Sequence, residues 1–465
     1  MYEKCGIFGV YGLENAAEIA YLGLFLLQHR GQEGAGIVVS DGRRFKEHRG
    51  IGLVTEVFDT ESLQKLTGHI ALGHVRYSTT GAPSSRNIQP LLGECRFGTL
   101  AIAHNGNLTN TLTLWQKLGR GGAIFQSTTD TELILHLVAR SAFDSLEDAL
   151  KEALWQIRGA FSIGVISAKA LFAARDPWGF RPLCLGRLHD GYLISSESCV
   201  FDILGAEFLR EIEPGEMLVI DEHGPRSFFY AYSSRKAFCA FEIIYFARPD
   251  SVVFGNPVYE ARKKMGALLA QNEDCLADMV TPVPDSGIFA ALGFAEASGI
   301  PFEFAFIRSP YVGRTFIQPS QDLRDLGVRL KLNPLRNLIK GKRVIVIEDS
   351  IVRGSTSSQR IATLKAAGAR EVHMRVSSPP HRFPCFYGID FPTREELLAA
   401  RMSLEGMKTF LGLDSLRYLS LEGLKQSLVP PEGQYCFACF TGEYPIHPEE
   451  GIGKLLLEEH VASWR

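Results

Sequence analysis

The sequence predicts a strand-rich α+β domain followed by a parallel α/β domain. Three observations predict it. Up to about residue 230, short apolar runs alternate with glycines and aromatics, the pattern of many short strands. Beyond that point apolar strand-like runs lead into helical stretches, the pattern of a parallel sheet with crossover helices. Within this second region, Lys342–Ser358, KRVIVIEDSIVRGSTSS, places a buried strand, two acids, a hydroxyl-rich turn and a helix start in one unbroken run.

Taken in order, the first domain should hold strands at Cys5–Tyr11, Leu100–His104, Phe161–Ile166 and Tyr192–Ser195, with helices at Ala16–Gln28 and Asp130–Val138. His223–Lys236, HGPRSFFYAYSSRK, is the expected junction. In the second domain, Met279–Val283 leads to a helix over Gly287–Ala297. Arg343–Ile347 leads to the helix after Ser355, which stops near Gly368, and Glu371–Val376 follows as a strand. No internal repeat or low-complexity segment interrupts this order.

The Lys342–Ser358 stretch reads as a phosphate cradle. The turn from Ser350 through Arg353, Gly354, Ser355 and Thr356 offers backbone N–H groups, hydroxyls and the positive end of a helix dipole to an anion. Glu348 and Asp349 would repel a phosphate, so they suit sugar hydroxyls or a magnesium ion. No Gly-Lys-Ser/Thr follows at Walker spacing. Val283-Pro284-Asp285-Ser286-Gly287 is a second strand-to-helix turn, suited to pyrophosphate, although alone it is an ordinary capped turn. Arg308–Asn333, dense in Arg, Lys and Gln, is either a solvated loop or a lid that orders over a polyanion; with two phosphate turns beside it, the lid is favoured.

The chain has 465 residues, 46% hydrophobic and 22% charged, with a formal net charge of −3. That balance gives no electrostatic case for nucleic acid or an anionic membrane as partner. No apolar run reaches the length of a membrane span, and the first residues lack the apolar core of a signal peptide. A cytoplasmic protein is expected, and its nine cysteines are therefore read as buried, ligating or catalytic rather than paired. Burial is the reading for Cys95, Cys184, Cys199 and Cys275.

Cys5, in Cys-Gly-Ile-Phe-Gly, can be an N-terminal nucleophile or a core cysteine. Removal of four residues would give it an α-amine of pKa roughly 7.7–8.0, a near-neutral base beside its own thiol. Three stretches favour the nucleophile. Arg76, in Gly73–Thr79, can clamp a carboxylate. Asn105 and Gly106 can form an oxyanion hole. Asp130, in Thr129-Asp130-Thr131-Glu132, suits an ammonium group. One cation, one anion, a nucleophile and an oxyanion hole fit glutamine.

Cys5-Gly6-Ile7, His29-Arg30-Gly31-Gln32-Glu33, Arg76-Tyr77-Ser78-Thr79, Asn105-Gly106-Asn107, Asp130-Thr131-Glu132 and Arg175-Asp176-Pro177, in this order, resemble the class II glutamine amidotransferase domain over roughly 5–220. The resemblance implies an N-terminal-nucleophile αββα fold, Arg76 and Asp130 on glutamine, Asn105 and Gly106 on the oxyanion, and Arg30 in the site's cover as a glutamine-binding residue. Lys342–Ser358 resembles the phosphoribosyl pyrophosphate (PRPP) motif of type I phosphoribosyltransferases, with Glu348 where that family usually has aspartate. Phe241–Pro249, Tyr311–Pro319 and Tyr435–Gly442 extend the resemblance, over nearly all residues, to the glutamine PRPP amidotransferase family.

That family implies three segments: a propeptide at 1–4, a glutaminase domain at 5–230 and a phosphoribosyltransferase domain at 231–465 with a C-terminal cluster-binding tail. Asp285, Arg314, Asp349, Ser350, Arg353, Gly354, Ser355 and Thr356 are the expected PRPP ligands. Ser286, Glu348 and Asp349 are the expected holders of one Mg2+. Tyr245 and Arg248 are expected near the interdomain region. Cys436 and Cys439, in Cys-x-x-Cys spacing, with Cys239 and Cys385 upstream, can hold zinc or a [4Fe–4S] cluster, or form a redox dithiol; spacing alone does not choose. The resemblance selects one [4Fe–4S] cluster per chain. It further implies purine nucleotides as feedback inhibitors and a homotetramer. Ammonia delivery to a different acceptor, and a non-enzymatic iron–sulfur binding protein, are the competing readings; the phosphate cradle argues against the first.

Overall fold

The computed structural model describes residues 5–77, 84–271, 273–308, 332–391, 393–430, 434–449 and Leu457. Strand Gly6–Tyr11 is apolar on both faces, and it lies at the centre of a seven-stranded antiparallel sheet. Across that sheet the order is Glu207–Glu211, Cys184–Leu188, Gly191–Ser195, Gly6–Tyr11, Ile70–Arg76, Gly34–Ser40 and Phe45–Ile51. A second antiparallel sheet of six strands runs Gly224–Phe229, Glu216–Asp221, Leu171–Arg175, Gly159–Ile166, Gly98–Leu108 and Leu91–Cys95.

The two sheets pack face to face through Ile7, Val38, Leu72, Ala101, Ala103, Ile166 and Leu218, all fully buried. Helix Ala16–Leu26 covers the outer face of the first sheet. Helices Thr111–Arg120, Thr131–Ala139 and Leu146–Gln156 cover that of the second. This is the αββα arrangement the sequence led us to expect. Buried strands with apolar residues on both faces are what two covered sheets demand.

The second domain is built on a parallel sheet in the order Met279–Pro282, Arg343–Glu348, Glu371–Val376 and Ser415–Tyr418. Helices Ile288–Ser298 and Ser355–Ala366 follow the first two strands. A two-residue parallel ladder joins Phe238–Cys239 to Tyr435–Cys436, tying the start of this domain to its C-terminal part.

Three elements differ from expectation. Gly98–Leu108 runs four residues past His104, so Asn105 and Gly106 lie inside a strand and not after one; pairing with Gly159–Ile166 carries the ladder through them. Gly224–Phe229 pairs with Glu216–Asp221, so half of the expected junction is an edge strand of the first domain. Glu242–Phe246 forms a π-helical turn that its apolar, aromatic composition conceals. Among the described residues no helix is long and apolar enough to cross a membrane.

Candidate active site

Antiparallel pairing of Gly6 with Val75 sets Arg76 and Tyr77 beside Cys5. The buried Cys5 thiol donates to the Tyr77 carbonyl at 3.2 Å, and the Tyr77 N–H points back to the sulfur at 3.4 Å. Burial pushes the thiol up to about 11; the Tyr77 hydrogen bond and the Arg76 charge pull against it, while Glu33 and Asp130 push with it. Arg76 and Asp130 are thus both within electrostatic reach of the sulfur. A thiol in this state is not a nucleophile at neutral pH without a base. Residues 1–4, Ser78 and Thr79 lie outside the described residues.

Asn105 is 1% exposed, and its side-chain nitrogen has no hydrogen-bond partner among the described residues. A buried amide left without a partner is costly unless a ligand completes it. Gly106, next in the strand, has φ +152°, and a Cβ there would stand 1.9 Å from the Ala160 carbonyl oxygen, so only glycine fits. Asp130 is buried: burial would raise its pKa, but the His104 charge and hydrogen bonds from His104, the Leu108 N–H and Thr129 outweigh it and hold the carboxyl below its usual range.

Arg30, expected in the site's cover, is fully buried next to Cys5. Nε donates to the Cys5 carbonyl at 3.1 Å. One terminal nitrogen meets Glu197 at 2.5 Å, and the other meets both oxygens of Glu242 at 3.1 Å. The reason lies in the chain path: helix Ala16–Leu26 gives way to a 3-10 turn over Gln28–Arg30, which aims the side chain inward, and two buried carboxylates balance its charge. His29 is the outer neighbour, 2.7 Å from Glu197.

In the second domain, Arg343–Glu348 delivers its two acids to the sheet's C-terminal edge, where open α/β sheets bind ligands. Asp349 accepts from the Ser286 hydroxyl at 2.5 Å and from the Ser350 hydroxyl. Glu348 is held by Arg360, whose nitrogen lies 2.9 Å from both carboxylate oxygens. Burial raises Glu348 to about 7; Arg360 opposes this and Asp349 adds to it. Gly354, with φ +80°, turns the chain into helix Ser355–Ala366, so Ser355 and Thr356 stand at its positive end. Arg353 pairs with Glu396, and Asp285 with Arg308. Phe306–Arg308 and Leu332–Pro334 pair at the base of the expected lid; Arg314 and the rest of that segment lie outside the described residues.

Cys239, Cys385, Cys436 and Cys439 converge without disulfides. Burial pushes all four thiols up, Arg181 opposes it at Cys239, Cys385 and Cys436, and the four act on one another electrostatically. Among the described residues no group of three or more His, Cys, Asp or Glu side chains is placed to hold a metal ion. Cys184 and Cys199 are buried as expected, whereas Cys95 and Cys275 are only half-buried.

Residues 74–202 match the family model of a glutamine amidotransferase domain. The chain is 49% identical to the amidophosphoribosyltransferase of Bacillus subtilis (strain 168), over 95% of this chain and 94% of that protein. It is 48% identical to the chloroplastic amidophosphoribosyltransferase 1 of Arabidopsis thaliana, over 96% and 80%. The solved glutamine PRPP amidotransferase from B. subtilis, complexed with ADP and GMP, superposes with TM-score 0.92 at 48% identity, over 97% of this chain and 99% of that one. The chain belongs to the amidophosphoribosyltransferase family. Its activity is that of the family, the glutamine-dependent amination of PRPP in purine biosynthesis.

Several residues that shape this amidophosphoribosyltransferase escaped the sequence reading. Loop Cys385–Asp390 of the second domain presses on the glutaminase strand: the Asn107 side-chain amide donates to the Phe386 carbonyl at 3.0 Å, the Tyr77 hydroxyl to Asp390 at 2.9 Å, and Arg181 to the Tyr387 carbonyl. Glu197, Arg181 and Arg360 sit in runs that look like ordinary sequence, and Glu242 sits in the apolar Phe241–Pro249 run. Their signal is a partner far away in the chain, which one sequence does not display.

Proposed function

We propose that Cys5 is the glutaminase nucleophile and that ammonia passes inside the molecule to PRPP, giving 5-phosphoribosylamine, glutamate and pyrophosphate, the first committed step of purine synthesis. The observation that carries this reading is the buried, unpartnered Asn105 amide beside Gly106. It is a donor waiting for an oxygen that develops charge. Arg76 takes the glutamine α-carboxylate and Asp130 the α-ammonium. The Cys5 sulfur attacks the side-chain amide carbon, the oxyanion rests on Asn105 and Gly106, ammonia leaves, and water releases glutamate. The base is the Cys5 α-amine, free once residues 1–4 are removed as a propeptide. Arg30 acts behind the nucleophile and makes no contact with glutamine.

At the second site, the turn Ser350–Thr356 and the helix start hold the phosphate of PRPP, Asp285 and Arg314 meet its pyrophosphate end, and Asp349 meets its ribose. The Asp349 carboxylate gathers two hydroxyls, a hard-oxygen set that fits one Mg2+ held with Ser286 and Glu348; the ion supplies charge neutralisation for the pyrophosphate. Arg308–Asn333 closes over PRPP and keeps water from the labile product. The mutual electrostatic action of four thiols supports one [4Fe–4S] cluster on Cys239, Cys385, Cys436 and Cys439 as a structural staple. Tyr245 and Arg248 belong to the interdomain contact. We assign the glutaminase domain to 5–230 and the phosphoribosyltransferase domain to 231–465. A homotetramer in the cytoplasm, inhibited by purine nucleotides, completes the reading; the ADP and GMP in the B. subtilis relative support the nucleotide part.

Cys5→Ser tests the division of labour. Pyrophosphate release driven by glutamine should vanish, and release driven by ammonium should persist. Equal loss of both in a folded protein would refute it.

A further inference from the structure

A row of buried charges crosses from the first domain into the second. Glu197, Arg30, Glu242 and Arg181 alternate in sign, and every one of these side chains is fully buried. The row touches the nucleophile at one point, where Arg30 Nε donates to the Cys5 carbonyl at 3.1 Å. Glu242 is the member contributed by the second domain. It opens the π-helical turn Glu242–Phe246, holds one Arg30 nitrogen with both oxygens at 3.1 Å, and meets Arg181 at 3.2 Å.

The position of this carboxylate matters because of what Cys5 becomes. On the reading that Cys5 is the mature N-terminus, on which this inference rests, the nucleophile sits at a chain end, and chain ends fray unless tied down. The thiol itself must leave the Tyr77 carbonyl to react, so its own hydrogen bond cannot hold it in place. The carbonyl tie to Arg30 can persist through the reaction. Arg30 in turn is held by Glu242, both of whose oxygens lie 3.1 Å from one guanidinium nitrogen in a fully buried, charge-assisted contact. Glu197 also grips Arg30, but it binds His29, the Arg248 N–H and the Ser251 hydroxyl as well, so its loss would disturb much besides the nucleophile.

We propose that Glu242 is a positioning residue for the Cys5 nucleophile: through Arg30, the acceptor domain sets the placement of the sulfur against Asn105 and Gly106. Glutamine binding is left to Arg76 and Asp130. The consequence is a split in the kinetics. A displaced nucleophile slows the chemical step and leaves ground-state binding alone.

The experiment compares the wild type with Glu242→Gln, which keeps the shape and removes the charge. Glutamine-dependent kcat should fall by about tenfold or more, with KM for glutamine within about twofold and ammonium-dependent turnover within about twofold of wild type. Inactivation by a diazoketone analogue of glutamine, followed by peptide mass, gives an independent readout: its limiting rate should fall together with kcat at an unchanged half-saturating concentration. Glu242→Asp, which keeps the charge on a shorter arm, should recover part of both; if Glu242→Gln does not accumulate as folded protein, Glu242→Asp is compared with wild type and should show a weaker form of the same split. Absence of an adduct on Cys5 in the wild type would overturn the nucleophile assignment. An adduct on Cys5 formed at an unchanged limiting rate in the variants, or an equal fall of ammonium-dependent turnover, would overturn the role of Glu242 alone.

Discussion

His74 shows how a single side chain records the cost of joining two sheets. It sits on the inter-sheet face opposite Ile7, fully buried, with Nε2 donating to the His104 carbonyl at 3.2 Å and Nδ1 without a partner among the described residues. Burial, and after it the Arg76 charge, pulls its pKa from 6.5 down to about 3. The folded protein therefore keeps it neutral where the unfolded chain protonates it. Between pH 6.5 and about 3 the unfolded state binds the extra proton, so stability falls as pH drops through that window. Melting temperature at pH 7 and pH 5 checks this: His74→Gln, which can still donate to the His104 carbonyl, should lose less on acidification than the wild type. An equal loss in both would place the acid sensitivity elsewhere.

At the scale of elements, loop Cys385–Asp390 of the second domain touches strand Gly98–Leu108 at Asn107 and Gly106, the latter a proposed oxyanion donor. Gly388, with φ +92°, lies so close that a Cβ would stand 2.9 Å from the Gly106 carbonyl carbon and 3.0 Å from its oxygen. Neither neighbour is a flexible side-chain end, so the strand and the loop must part. Gly388→Ala should therefore lower glutamine-dependent turnover well below ammonium-dependent turnover, since the direct clash falls on Gly106. Steady-state rates with each nitrogen source give the ratio; an unchanged ratio would show that the loop yields without disturbing Gly106. This contact adjoins the one through Glu242, because Arg181 meets Glu242 at 3.2 Å and also donates to the Tyr387 carbonyl of the loop.

For the whole molecule, legibility in the sequence followed the range of the interactions. Arg343–Glu348 and Glu371–Val376 could be read because apolar, β-branched runs followed by a polar turn have one stable use in a parallel sheet. Cys5, Arg76, Asn105, Gly106 and Asp130 could be proposed as a site because each residue type suits one part of glutamine, and the structure brings Arg76 and Asp130 within electrostatic reach of the Cys5 sulfur. The partners of Arg30 could not be read, since its two carboxylates lie 167 and 212 positions away. Long-range closure also yields the last prediction. Phe238–Cys239 and Tyr435–Cys436 share a ladder of two residues, and Phe238, Cys239 and Tyr435 lie inside one buried apolar core with Phe241, Cys439 and Phe440. A cluster bound by Cys239, Cys385, Cys436 and Cys439 would add to this closure, because metal binding by a site absent from the unfolded chain adds directly to folding. Protein purified without oxygen should hold about four iron atoms per chain. Cys436→Ser should lose that iron and expose 434–449 to protease, with glutamine-dependent turnover lost first because Cys385 leads directly into the loop on Gly106. Stoichiometric zinc in place of iron would reject the cluster, and a tail equally protected in Cys436→Ser would show that the closure is made by packing alone.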